Sequence, residues 1–318
     1  MPPNTQALRV AVVIPCFNEA NAIAKVITDC RAALPHATVH VFDNASTDGT
    51  AEVARAHGAE VTHVALRGKG NVVRRMFADV EADLYLMVDG DATYDVTHAQ
   101  AMIDQLLAQG LDMMVGARVD DSSSAQTYRP GHRFGNHMLT SAVARLFGGT
   151  FRDMLSGYRV FTRRYVKSFP AAARGFETET ELTVHALELR MASAEMEVTY
   201  LTRPEGTQSK LSTFRDGWRI LFTIVRIFVS ERPLTFFSIV AGFLAAASVL
   251  LALPLIMEYL HTGLVPRLPT AVLSTGLMLS SMLSLTCGAI LRTVTLGRQE
   301  AKRLVYLSIP RPPRSPGN

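Results

Sequence analysis

Residues 87–95 read MVDGDATYD. The apolar run Leu84–Val88 ends in two carboxylates, Asp89 and Asp91, separated by a single glycine. Like charges this close suppress each other's ionisation unless a cation sits between them. The pair therefore predicts a metal-diphosphate role. Two earlier apolar runs end in the same way. Arg9–Ile14 leads into Pro15-Cys16-Phe17-Asn18-Glu19, and Thr38–Phe42 leads into Asp43-Asn44-Ala45-Ser46-Thr47-Asp48.

Between these runs the pattern changes period. Helical spacing over Ala20–Leu34, Thr50–His57, Asn71–Val80 and Thr97–Gln109 alternates with strand-like stretches at Glu60–Leu66, Leu84–Val88 and Met113–Val115. Such alternation predicts an α/β fold with a mostly parallel sheet covered by helices. In an open sheet of that kind ligands bind beyond the carboxyl ends of the strands, where the three acidic endings fall. Turn and cap roles compete at Asn18, Glu19, Ser46 and Thr47. Gly68-Lys69-Gly70 precedes a helix and could bring Lys69 and backbone amides to an anion, but the Walker spacing is absent.

The chain has 318 residues and a net charge of +4, with three cysteines, Cys16, Cys30 and Cys287, that form no metal or redox pair. That cysteine usage suits a reducing compartment, and Met1–Gln6 lacks the pattern of a signal peptide, so the large domain is expected in the cytoplasm. The positive charge clusters around apolar segments, and no nucleic-acid motif is present; an anionic membrane surface accounts for it better than nucleic acid. Leu234–Met257 and Thr270–Leu291 carry no charge at all. At about 1.5 Å per residue each can span the roughly 30 Å of a bilayer core.

The expected organisation is a catalytic domain over 1–212, an amphipathic juxtamembrane segment over 213–232, a transmembrane hairpin over 233–292 and a basic tail over 293–318, disordered from Pro310. The hairpin connection would be Glu258–Pro269, with Pro254 bending the first helix. Lys and Arg flank both outer ends, which places the catalytic domain and both termini on the cytoplasmic side of an inner membrane. In Phe214–Val229, Trp218, Leu221, Phe222, Val225 and Phe228 recur opposite Arg215, Arg219 and Arg226. That stretch suits the headgroup layer, and an ordinary domain-packed helix is the alternative.

VVIPCFNEA, FDNASTDGTA and MVDGDATYD, in this order at three strand ends, resemble family 2 of the inverting glycosyltransferases, which have the GT-A fold. Val115–Arg118, Asp153–Arg159, Gly175–Glu177 and Ser209–Leu211 are similar to dolichyl-phosphate mannose synthases and bactoprenol glucosyltransferases. The resemblance covers about residues 8 to 300. It implies transfer of a sugar from a nucleotide-sugar, UDP-sugar favoured over GDP-mannose, to undecaprenyl or dolichyl phosphate. It further implies that Pro15, Phe17, Asn18, Glu19, Asp43, Lys69 and Gly90 line the donor site, and that Asp89 and Asp91 hold Mg²⁺ or Mn²⁺. Asp153 would orient the acceptor or act as base, with a helix cap as the plain alternative. Candidates for the acceptor phosphate are Arg118, Arg129, Arg133, Arg203, Ser209 and Lys210, and one of Glu177, Glu179 and Glu181 could receive a sugar hydroxyl. Asn44 and Thr93 depart from the patterns Asp and Gln, which leaves base and sugar identity open, as is a homo-oligomer. A processive polysaccharide synthase would normally carry Q-x-x-R-W, which the single tryptophan, Trp218, does not supply. A non-catalytic membrane scaffold would not need the acidic motifs.

Overall fold

The computed structural model describes residues 8–120, 141, 143, 148, 151–173, 175, 177–201, 222 and 225–313. They fall into two compact units, one formed by residues 1–220 together with 301–318, the other by 221–300. Arg129, Arg133, Arg203, Ser209, Lys210 and most of the juxtamembrane stretch, Trp218 included, lie outside the described residues.

The first unit is built on β1 (Val10–Cys16), α1 (Ala20–Ala33), β2 (Thr38–Asp43), α2 (Thr50–Ala56), β3 (Glu60–His63), α3 (Lys69–Asp79) and β4 (Leu84–Met87). A 3₁₀ turn at Val96–His98, α4 (Ala99–Gln109), β5 (Met113–Asp120), β6 (Arg159–Thr162), α5 (Arg163–Ser168), α6 (Thr178–Glu188) and β7 (Ser193–Tyr200) complete it. The seven strands lie in the order β3-β2-β1-β4-β6-β5-β7. β1, β2, β3 and β4 pair in parallel; β6 enters antiparallel between β4 and β5. The expected mostly parallel sheet is thus present.

The strand VAVVIPC explains the layering. Successive side chains point to opposite faces, and both faces are apolar because both are covered. Val12 and Ile14 pack with Ile23, Val26 and Ile27 of α1 and Met102, Ile103 and Leu106 of α4. Ala11 and Val13 face the other way, towards Val72, Val73, Met76 and Phe77 of α3 and Tyr165 of α5. Helix ends follow local chemistry as well: α4 stops at Gly110, whose φ of 67° lies in the left-handed region that favours glycine.

The second unit contains α7 (Pro233–Thr262) and the first part of α8 (Leu268–Ser308). Their hydrogen bonds run in antiparallel register: Ser248 and Ser274 exchange hydroxyl-to-carbonyl bonds at 2.8 and 2.9 Å, Ser281 donates to the Ala241 carbonyl, and Ser284 to that of Phe237. A Cβ on Gly288 would come within 2.8 Å of the Phe237 Cβ, so this glycine permits the close approach. The outward faces are apolar, with Phe243, Leu250, Leu260 and Leu283 exposed. Mean hydropathy reaches 2.5 in α7 and 1.5 in α8, and both helices are long and apolar enough to cross a membrane. This suggests membrane anchoring. Both helices outrun their uncharged cores, so the connection shrinks to residues 263–267, and α7 continues through Pro254.

Beyond residue 293 the chain stays helical to Ser308, and residues 301–313 group with the first unit. Lys302 pairs with the buried Glu188 at 2.7 Å. The Tyr306 hydroxyl donates to Asp112 at 2.8 Å, and Arg164, which also binds Asp112, stacks 4.7 Å over the Tyr306 ring.

Candidate active site

The parallel register aligns the strand ends. Cys16 lies beside Asp43, and Val13 beside Met87, so the loops after β1, β2 and β4 open on one edge of the sheet. Each of these loops holds one non-glycine residue at positive φ: Asn18 at 53°, Ala45 at 58° and Ala92 at 56°. A side chain costs about 1–2 kcal/mol there. Backbone strain of this kind clusters where a site must hold fixed directions.

The first two loops are laced together. Asn18 donates its amide to the Ser46 hydroxyl at 2.9 Å and accepts from the Thr47 amide at 2.9 Å. The Glu19 amide donates to Thr50, and that of Ala20 to Asp48. Asn18, Ser46 and Asp48 therefore perform the turn and cap roles open to them, and these roles shape the edge. Asp43 is buried at the end of β2, accepting from the Ser46 amide at 3.3 Å and lying 3.4 Å from His63. Phe17 carries the Arg67 guanidinium 4.8 Å above its ring.

Cys16 reports the convergence. Burial pushes its thiol well above the usual range, and Glu19, Asp43, Asp89 and Asp91 all push it further up. Gly90 must stay small above it, since a Cβ there would lie 2.4 Å from the Cys16 sulfur.

Asp91 is buried, and its Oδ1 accepts from the Thr93 amide at 3.2 Å and the Thr93 hydroxyl at 2.5 Å. Thr93 is therefore a holder of Asp91. Asp89 stands beside Gly157, whose amide donates to the Tyr94 hydroxyl at 2.9 Å. Lys69, at the start of α3, places its ammonium 2.5 Å from Asp89 Oδ1 and 2.6 Å from Glu179 Oε1. Burial works against the charge on Lys69, but Asp89 and Glu179 outweigh it and hold its pKa above the ordinary lysine value. Asp89 and Asp91 offer hard oxygen donors of the kind Mg²⁺ or Mn²⁺ takes when it leaves its other positions to substrate phosphates and water. The donor chemistry fits such an ion.

Asn44 explains its own departure from the resemblance. Its side-chain amide donates to the carbonyls of Val64 at 3.0 Å and Leu66 at 2.8 Å, and its oxygen accepts from the Gly68 amide at 2.7 Å. This clasp fixes the turn that delivers Lys69. An Asp could not donate either bond and would set a carboxylate against two carbonyls. Asn44→Asp is expected to cost about 2–4 kcal/mol through buried groups left unpaired. Unfolding of the purified protein would register this as a lowered midpoint; an unchanged midpoint rules the clasp out.

On the other side of the edge, Arg118 and Asp153 form one forked pair, with Nε to Oδ2 at 2.6 Å and the guanidinium amine to Oδ1 at 2.8 Å. Residues expected to serve acceptor and base separately are a single unit. Among the three glutamates of the α6 region, Glu181 caps the Ala172 and Ala173 amides, whereas Glu179 is buried on Lys69. Arg159, a fully buried residue with no role expected from sequence, donates to the carbonyls of Ser156, Met154 and Glu179 and to the Thr183 hydroxyl. It ties the Asp153–Gly157 loop to α6. A buried arginine within an otherwise apolar strand, Arg159-Val160-Phe161, was the available signal.

The profile of glycosyl transferase family 2 matches residues 11–169. Glycosyltransferase AglJ of Haloferax volcanii is 35% identical over 306 residues, 94% of this chain and 98% of its own. The chain belongs to glycosyl transferase family 2. Within the family, it is also 27% identical over 222 residues to the dolichyl-phosphate hexose transferase of the same organism, covering 70% of this chain and 95% of that one. Among solved structures, glucosyl-3-phosphoglycerate synthase from Mycobacterium tuberculosis, in complex with Mn²⁺, uridine-diphosphate and glucosyl-3-phosphoglycerate, aligns with a TM-score of 0.56 at 21% identity. The alignment covers 69% of this chain and 80% of that one. That likeness shows the GT-A fold. This family 2 member is accordingly a nucleotide-sugar glycosyltransferase, and its carboxylate edge is the candidate donor site.

Proposed function

We propose that this glycosyltransferase moves a sugar, with inversion, from a nucleotide-sugar to a polyprenyl phosphate at the cytoplasmic face of a bilayer, releasing a nucleoside diphosphate. The observation that carries the reading is the placement of Asp43, Asp89 and Asp91 at parallel strand ends on one sheet edge, in a chain that also bears two helices of membrane-spanning length. The sequence relationship to a dolichyl-phosphate hexose transferase supports the choice of acceptor.

In this reading Pro15, Phe17, Asn18, Glu19 and Asp43 form the nucleoside end of the edge, with Lys69 and Gly90 lining the part nearer the sugar. Asp89 and Asp91 would hold a divalent cation, whose charge would supply stabilisation of the leaving diphosphate. Thr93 keeps the Asp91 carboxylate aimed by two hydrogen bonds. The acceptor oxygen attacks the anomeric carbon opposite the departing diphosphate, so the protein must position it there. A phosphate monoester, with a second pKa of about 6, arrives largely ionised and hardly needs a base. The forked Arg118–Asp153 pair is then better suited to orienting the acceptor than to taking a proton, because both Asp153 oxygens are engaged by the guanidinium. The further acceptor candidates Arg129, Arg133, Arg203, Ser209 and Lys210 complete the proposed phosphate side. UDP-sugar is the favoured donor, and the domain boundaries at 212, 232 and 292 are part of the same proposal.

The acceptor's charge is the testable element. Replacing polyprenyl phosphate with the uncharged polyprenol should reduce transfer at least about 100-fold, since charge-assisted contacts and the ionised nucleophile are lost together. Labelled nucleotide-sugars supplied to reconstituted membranes would measure it. Equal transfer to the alcohol would remove the lipid-phosphate reading and favour a sugar-hydroxyl acceptor.

A further inference from the structure

Lys69 occupies an unusual position for a residue of a donor-binding edge. Its ammonium bridges two carboxylates, Asp89 at 2.5 Å and Glu179 at 2.6 Å, and its side chain is only 12% exposed. Asp89 Oδ1 is an oxygen that a divalent cation would claim, so ammonium and cation compete for one carboxylate. Two cations near one oxygen repel strongly in a poorly solvated site. If the ammonium gives way, its released N–H needs another acceptor, because a buried donor without one is costly.

An acceptor is in place. Glu179 is 5% exposed, and its second oxygen, Oε2, is buried with no hydrogen-bond partner among the described residues. A buried carboxylate oxygen of this kind calls for an explanation in terms of a second state or a ligand. The backbone carbonyl of the same residue is tied to Arg159, and the Glu181 contacts two residues later fix the start of α6, so Glu179 is held where it stands.

We propose that Lys69 is the resident counter-ion of Asp89 in the donor-free enzyme, and that Glu179 is the positioning residue that takes the ammonium when a divalent cation claims Asp89. The consequence is ordered loading. A free cation meets an already neutralised carboxylate and binds weakly, whereas a cation arriving with a diphosphate brings its own ligands and displaces the lysine. The proposal rests on the reading of Asp89 and Asp91 as the cation's carboxylates.

The test is Mn²⁺ binding to the full-length protein in detergent without nucleotide, followed by the electron paramagnetic resonance signal of free Mn²⁺. Lys69→Met should bind Mn²⁺ at least about 10-fold more tightly than wild type, Lys69→Arg should bind like wild type, and Glu179→Gln should bind several-fold more weakly. If Lys69→Met does not fold, Lys69→Met/Glu179→Gln, which removes one charge of each sign, is compared with Glu179→Gln and should again be at least about 10-fold tighter. Affinity no tighter than that of the reference protein in this comparison overturns the proposal. Asp91→Asn separates the two levels: loss of Mn²⁺ binding there, with no gain in Lys69→Met, sinks the counter-ion alone. Unchanged binding in Asp91→Asn sinks the cation site and the proposal with it.

Discussion

Asp91→Asn should lower kcat/KM for sugar transfer by about 10³-fold or more, roughly 4 kcal/mol of lost transition-state stabilisation. The substitution preserves shape. An amide oxygen can still accept both bonds from Thr93, so the loop after β4 keeps its fold while the site loses one negative charge. In the proposed function, the lost charge is one of the two that would hold the diphosphate's cation. Initial rates in proteoliposomes with a panel of nucleotide-sugars would measure the loss, and circular dichroism would verify the fold. Turnover close to wild type at saturating Mn²⁺ would falsify the assignment of Asp91.

Gly157→Ala is expected to lower kcat/KM about 100-fold with only modest loss of stability. Gly157 does not use the left-handed region, so alanine is acceptable to the backbone. The collision is with the site itself: the added Cβ would lie 2.1 Å from Asp89 Oδ2 and 2.5 Å from its carboxyl carbon. Asp89 must rotate away, which costs its contact with Lys69 and its aim into the edge. Overpacking typically costs about 1–3 kcal/mol, and here the yielding partner is a short side chain already held at its far end. Steady-state rates and thermal unfolding on one preparation would separate the two effects. Unimpaired turnover would mean that Asp89 is free to move without consequence, contrary to the geometry.

Much of this edge was legible because its signals are local. Asp43, Asp89 and Asp91 each follow an apolar strand within a few residues, and alternating helical and strand periods bring parallel strand ends to one side. Contacts between distant segments were not legible. Nothing in residues 159–162 announces that β6 enters antiparallel between β4 and β5, since sheet order is decided by pairing across the chain. Glu179 read as one of three acids on a helix face, and only the approach of Lys69, 110 positions earlier, distinguishes it. The Arg118–Asp153 fork likewise joins residues 35 apart. The second uncharged run ends at Leu291, where charges begin, and gives no sign of how far the helix continues. Leu296, Leu304 and Val305 nevertheless continue the helix as a mixed surface to Ser308.

Residues 301–313 contribute Lys302 and Tyr306 to the catalytic unit, binding Glu188, whose side chain is 2% exposed, and the buried Asp112. The unit is therefore closed by a piece of chain that follows both apolar helices. A ribosome that has finished residue 220 has not yet finished this domain, since the missing part emerges only after both apolar helices have been synthesised. Completion of the catalytic unit therefore waits on synthesis of both apolar helices, and a chain stopped before residue 301 leaves Glu188 without Lys302 and Asp112 without Tyr306. The order of synthesis thereby makes the finished sugar-transfer domain contingent on the two apolar helices having been made.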